Sequence, residues 1–288
     1  MSDNLPTSEI SRFALPDHAV IALEGADATA FAQAQFANDV VALAPGYWQW
    51  NTWLTPKGRV IALFALLKLD QDRILLLLPD ADADGLASQL QRFVFRRKLQ
   101  VAMRADLQVS GALRPADSAL NARIGIDGDL IEMDCGDGDQ SRTLHIAPFR
   151  EWPGQADSQA RWKSFDLLHG LPRLPAAQRE QWTPQQLSLE RLQAFSVKKG
   201  CYPGQEIVAR THFLGKAKRG LVLFEASSPV APGTDVADAG RTVGVVVSAS
   251  DGERPLALVV LPLQRESSVL DAGGIALREI PLTGGLQR

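Results

Sequence analysis

The sequence predicts an α+β protein that ends in an all-β part. Three observations carry this expectation. Val60 to Leu69 is a nearly unbroken apolar run, and Ile74 to Leu78 is another, with Asp70-Gln71-Asp72 between them short enough for a hairpin. Continuous apolarity of this kind belongs to a sheet covered on both faces. Leu86, Leu90 and Phe93 then fall at i, i+4 and i+7, on one helical face. From Leu221 onward short Val-rich segments (Leu221–Phe224, Val243–Val247, Leu256–Val260) alternate with Pro-Gly and Asp-Gly turns. That texture fits a small barrel or sandwich of about 70 residues.

Taken in order, the chain starts with a polar lead and a short buried strand, Ala19 to Leu23. Asp27 is placed to cap a helix that runs to about Ala37 and turns Phe31 and Phe36 to the core. Alternation across Tyr47 to Trp53 puts Trp48 and Trp50 on one face of a strand. Thr55-Pro56-Lys57-Gly58 is a turn. Asp82 or Asp84 opens a helix expected to continue to about Phe95, with Arg92, Arg96, Arg97 and Lys98 at its far end, where cations suit the helix dipole. Strands are expected at Leu107–Val109, Arg123–Ile126, Leu130–Cys135 and Thr143–Ile146, with Asp127-Gly128 a hairpin turn. Ser158 to Leu168 reads as a helix. Thr183-Pro184-Gln185-Gln186 has the form of a capping box, and the helix it starts should carry Leu189, Leu192 and Phe195 into the next turn.

The 288 residues suffice for two or three domains and a substantial core. A net charge of −3 gives no bulk attraction to nucleic acid, so any such attraction must be local. Two distant cysteines, Cys135 and Cys201, make no disulfide framework, and His18, His145, His169 and His212 have no zinc spacing, so no metal site is expected. The first residues, MSDNLPTSEI, are polar and acidic, unlike a secretory signal, and no apolar run reaches the ~18–20 residues of a membrane span. The expectation is a reducing, cytoplasmic compartment without membrane attachment.

No nucleotide-binding glycine loop, serine elbow or zinc signature is present, and Arg173 and Arg179 read as surface charge. The chemistry concentrates between Lys198 and Gly220. Cys201 lies between Gly200 and Gly204, with Pro203-Gly204 suited to the centre of a tight turn. Lys198, Lys199, Arg210, Lys216, Lys218 and Arg219 face only Glu206, and nearby cations favour a thiolate. Without an adjacent base, Cys201 is a thiolate candidate rather than a defined nucleophile. The plain alternative is a surface turn with an idle thiol. A flat heteroaromatic ligand would need an aromatic platform, for which the six tryptophans are candidates, each more often a core residue.

The run K-G-C-Y-P-G-Q-E-I-V-A-R, Lys199 to Arg210, resembles the signature of the YgfZ-type folate-binding proteins, relatives of the aminomethyltransferase (T-protein) of the glycine cleavage system. Leu23-x-Gly25-Ala26-Asp27, Phe31-x-Gln33-x-Gln35 and Asn38-Asp39 are similar to that family's first strand and helix, Lys57-Gly58-Arg59 to its next glycine turn, and Trp162 with Gly170-Leu171-Pro172 to the segment before the signature. The resemblance implies a three-domain aminomethyltransferase-like fold around a central cavity, ending in a β-barrel, with boundaries expected at 1–108, 109–212 and 213–288 and the first two parts interleaved. It also implies tetrahydrofolate in the cavity, with Trp162, His18, Lys199, Arg210, Gln205 and Glu206 as folate-site residues and Cys201 as the reactive group. The implied role is an accessory protein that maintains iron–sulfur enzymes or their assembly proteins and, through them, tRNA modification. Where the aminomethyltransferase strand carries its reaction's aspartate, Ala62 and Leu63 stand, which weighs against the alternative of aminomethyl or methyl transfer. Leu168-His169 replace an acidic residue, and His18 stands where some members have a second aromatic. A third reading is a module that contacts tRNA or protein through the basic stretch, with no small ligand.

Overall fold

The computed structural model describes residues 12–79, 82–215, 217–265 and 269–288. Most of the polar lead, and Lys216 of the basic stretch, lie outside them. In chain order the elements are β1 (Arg12–Ala14), β2 (His18–Glu24), α1 (Ala28–Gln35), β3 (Tyr47–Leu54), β4 (Val60–Lys68), β5 (Arg73–Pro79) and α2 (Ala83–Gln91). Then come β6 (Gln100–Met103), β7 (Leu107–Ala112), β8 (Gly125–Asp127), β9 (Leu130–Asp134), β10 (Thr143–Pro148), α3 (Ala156–Leu168) and α4 (Gln205–Phe213). The last six strands are β11 (Arg219–Ala226), β12 (Asp235–Asp238), β13 (Arg241–Ser250), β14 (Leu256–Pro262), β15 (Leu270–Ala272) and β16 (Ile275–Ile280).

These strands form two five-stranded sheets, β3-β4-β5-β2-β6 and β1-β7-β10-β9-β8, and a closed barrel, β11-β14-β13-β12-β15-β16. The unbroken apolar runs are explained by the first sheet. Alternate residues of β4 point to opposite sides, Leu63, Ala65 and Leu67 into a core shared with β7, β10, α3 and β11. Ala62, Phe64 and Leu66 enter a second core beneath α1 and α2, with Phe31, Phe36 and Leu86. Trp48 and Trp50 share the first side, with rings 5.4 Å apart, and Trp53 takes the other. The tail returns across this sheet, its Leu286 carbonyl accepting from the Trp50 indole at 2.7 Å.

Three expectations need correction. The helix after Asp82 stops at Gln91, because Arg92, Phe93 and Val94 bond back to residues i−3 and Arg96 turns left-handed at φ 55°. Phe93 is therefore half exposed instead of joining Leu86 and Leu90 in the core. Asp27 occupies the cap position of α1, but its carboxylate accepts the Lys98 N–H instead. At Thr183 the capping pair forms, with Gln186 Oε1 accepting the Thr183 N–H at 3.0 Å, yet no regular α-helix follows. Leu187, Leu189 and Leu192 are all buried, and a straight helix would point the first two to opposite sides. The chain instead makes one 3₁₀ turn, Leu189–Leu192, bracketed by Ser188 and Gln193 in left-handed backbone. The helix comes later, as α4, directly after the cysteine turn.

Candidate functional site

A cavity of about 1240 Å³ lies where both sheets, α3 and the barrel meet. Its walls are the β1–β2 link (Leu15 to His18), the approach to β10 (Gln140 to Arg142), one side of α3, and the β13–β14 loop (Asp251 to Arg254). Ser164 on α3 meets Ser250 on β13 at 3.3 Å, and the Ser248 hydroxyl bonds both the N–H and the carbonyl of Arg173. These polar links fix the barrel against α3.

Trp162 is 2% exposed and stands edge-on to Phe13 and to the His18 ring, at 6.1 and 6.5 Å. Gly111 makes room, because a β-carbon there would sit 2.9 Å from Phe13 and 3.0 Å from Trp162. The Arg142 guanidinium lies 4.1 Å from the Trp162 ring and 4.2 Å from Phe165. Asp166, one turn after Trp162, accepts from Arg142 at 2.6 Å and from Arg173 Nε at 2.9 Å. One carboxylate thus holds two buried guanidinium groups in place behind the cavity wall. Burial, followed by the Arg173 and Arg142 cations, pushes the His18 pKa well below its ordinary value, so this imidazole is neutral. Its Nδ1 is buried with no hydrogen-bond partner among the described residues. Arg173, expected as surface charge, is 5% exposed and paired, because the helix end aims it at Asp166.

The signature turn is built separately. Gly204, at φ 80°, lets the chain press against the β3–β4 turn, where a β-carbon would come 2.6 Å from the Thr55 carbonyl oxygen. The Ser196 hydroxyl accepts the N–H groups of Lys198 and Lys199, and the Tyr202 hydroxyl donates to the Ser196 carbonyl at 3.0 Å. Gln205 turns its amide back onto the Lys199 carbonyl at 2.9 Å. Lys199 points inward. Its ammonium donates to the carbonyl oxygens of Gln33, Phe36 and Asn38 at 2.6, 2.6 and 3.1 Å, and burial, opposed by Asp39, pushes its pKa down to about 8. Cys201 is exposed, whereas Cys135 is buried, its thiol pushed up to about 11 by that burial. Glu206 and Arg210 are exposed and form a loose i, i+4 pair at 3.9 Å.

The structure therefore brings His18 and Trp162 together and leaves Cys201, Lys199, Gln205, Glu206 and Arg210 out of the cavity lining. Lys199 is corrected from a ligand or thiolate-tuning group to an internal strut, because three carbonyls at the end of α1 occupy its ammonium. Arg142 and Asp166 were missed from the sequence. A carboxylate four residues after Trp162, on the same helical face, was the available signal.

No family model matches the chain. It is 27% identical over 284 residues to the tRNA-modifying protein YgfZ of Aliivibrio fischeri, covering 90% of this chain and 87% of the relative. The protein of the same name from Vibrio vulnificus is 27% identical over 288 residues, covering 88% and 86%. Among solved structures, the glycine cleavage system aminomethyltransferase T of Bartonella henselae superposes with a TM-score of 0.73 at 18% identity, over 93% of this chain and 84% of that one. Along most of its length the chain is similar to the YgfZ proteins. The YgfZ relatives align over about nine tenths of the chain, and the aminomethyltransferase shares the fold. No described helix is long and apolar enough to cross a membrane.

Proposed function

We propose that this protein binds a reduced folate, with tetrahydrofolate as the parent form, in the cavity between α3, the sheets and the barrel. The observation that carries the reading is the half-buried, neutral His18 imidazole set beside Trp162 on the wall of a cavity large enough for a pterin. A partly exposed neutral imidazole on a cavity wall offers a bound heterocycle a ring face and a hydrogen-bonding edge. Small-molecule sites are typically about 300–1,000 Å³, so this one has room for a pterin and its tail. The lining carries Arg161, Lys163 and Arg254 among four carboxylates, Asp17, Asp157, Asp251 and Glu253, and these three cations are the groups that could meet the carboxylates of a folate. His18 and Trp162 would bound the pterin, and a bound folate would supply a one-carbon carrier.

The protein acts in this reading as an accessory factor that supports iron–sulfur enzymes and thereby tRNA modification, and the name of its relatives supports the second part, tRNA modification. Ala62 and Leu63 are both buried and apolar, so neither can hold the charge that aminomethyl transfer needs. Cys201, outside the cavity, faces the partner rather than the folate. A deletion strain complemented with wild type, Trp162→Phe or Cys201→Ala tests the role through iron–sulfur enzyme activity and tRNA modification. The reading expects restoration by wild type and loss with Cys201→Ala. Full restoration by Cys201→Ala would remove the cysteine from it.

A further inference from the structure

The segment of residues 92–98, Arg-Phe-Val-Phe-Arg-Arg-Lys, carries four cations and no acid in a chain whose net charge is −3. The helix-dipole explanation does not hold for most of them, since α2 ends at Gln91 and Arg96, Arg97 and Lys98 lie beyond it. Among the described residues none of the four cations forms an ion pair with an acidic side chain. Arg92, Arg96 and Lys98 are exposed. Two aromatic rings are exposed with them, Phe93 at 49% and Phe95 at 73%.

The segment is also held in place. The Lys98 N–H donates to the Asp27 carboxylate at 2.6 Å, and the Lys98 carbonyl fills the space where a β-carbon of Gly25 would stand. Val94 and Leu99 pack against the core beneath α1 and α2. Phe93 meets Trp53 edge-on at 6.1 Å, near the end of β3. Arg97 is anchored over the Phe31 ring at 5.8 Å, and the Arg96 guanidinium stands 4.9 Å from the Phe95 ring. The result is a pinned loop that presents an aromatic ring and a guanidinium side by side, flanked by cations. β3 leads directly to Thr55, whose carbonyl packs on Gly204, so the loop and the cysteine turn share one end of the first sheet.

We propose that this loop is a contact surface for unpaired nucleotides of an RNA, with Phe95 and Arg96 stacking on bases and Arg92, Arg96 and Lys98 meeting phosphates. Exposed aromatic rings interleaved with cations bind single-stranded nucleic acid through stacking and backbone neutralisation together. The choice of RNA rests on the tRNA-modification context of the proposed function and not on its folate cavity.

The test uses the full chain and a fluorescently labelled tRNA transcript, titrated by anisotropy at several salt concentrations. Loss of one stacked base should weaken binding by about 5- to 160-fold in Phe95→Ala. Combining Arg92→Ala, Arg96→Ala and Lys98→Ala should reduce the slope of log affinity against log salt by about 2, at ~0.7 per phosphate contact. All four side chains project to solvent, so unchanged melting curves should verify that the variants fold. Unaltered tRNA affinity and salt slope in both variants would overturn the proposal. So would variants that lose binding to phosphatidylserine vesicles, or lose self-association, while keeping their tRNA affinity. A protein that binds tRNA through this loop but no tetrahydrofolate would keep this inference and remove the folate reading, and the converse would do the reverse.

Discussion

Replacing Lys199 with methionine separates the two roles that a lysine beside Cys201 can have. In the structure its ammonium joins the cysteine turn to the carbonyl end of α1 through bonds of 2.6, 2.6 and 3.1 Å. Hydrogen bonds to a charged group contribute ~1.5–3 kcal/mol each, so the three together are worth about 4.5–9 kcal/mol before the cost of burying the ammonium. Methionine fills much of the same space and spares the cost of burying an ammonium, but leaves three carbonyl oxygens without their donor. The net loss should be about 2–4 kcal/mol. For a chain of this size that lowers the melting temperature by roughly 4–16 °C. Urea denaturation followed by circular dichroism measures it, with the m-value showing whether unfolding remains cooperative. Lys199→Arg sharpens the test. A planar fork cannot meet three carbonyls converging on one point, so arginine should recover little of the stability although it keeps the charge. A loss below ~0.5 kcal/mol in Lys199→Met, or full rescue by arginine, would refute the strut and restore a purely electrostatic role.

Two other outcomes follow from the same geometry. In the native protein Cys201 should be alkylated at least ~10-fold faster than Cys135, whose thiol is both buried and harder to ionise, and denaturant should equalise them. Peptide mapping after iodoacetamide labelling reads this, and equal native rates would contradict the placement of the two sulfurs. Burial raises the Glu132 carboxyl, but the N–H groups of Asp117, Ser118 and Ala119 and the Ser118 hydroxyl outweigh it and hold the pKa at about 2, against an ordinary 4.5. The stability from ionised Glu132 is therefore complete above pH 4.5 and lost as pH falls toward 2. Wild type should exceed Glu132→Gln in stability at neutral pH, and the gap should close across that acid window. A gap that stays constant would show that the ionised carboxylate is not the source.

Much of the fold is legible where one periodicity dominates. The twin apolar runs of β4 and β5 cannot be solvent-facing on either side, and the two cores divide them residue by residue. The Val-rich segments after Leu221 left barrel or sandwich open, and it is the pairing of β11 with β16 that closes the barrel. The stretch from Thr183 to Phe195 was misread because its capping box is real but local. The helix it would start cannot bury Leu187 and Leu189 together, so packing overrides propensity. At the candidate site, Trp162 and Cys201 stand out in the sequence, yet the grouping of Arg142, Asp166 and Arg173 depends on a loop, a helix and a helix end meeting. Lys199 shows the limit of charge counting: it reads as part of a basic surface, and only the end of α1 reveals why it turns inward.

The most direct measurement is an isothermal titration of tetrahydrofolate into wild type, Trp162→Phe and His18→Ala. The account expects saturable one-to-one binding to wild type, weakened by about tenfold or more when the His18 hydrogen bond is removed and less when Trp162 keeps an aromatic ring. Absence of binding up to millimolar ligand, or equal affinity in wild type and His18→Ala, would contradict it.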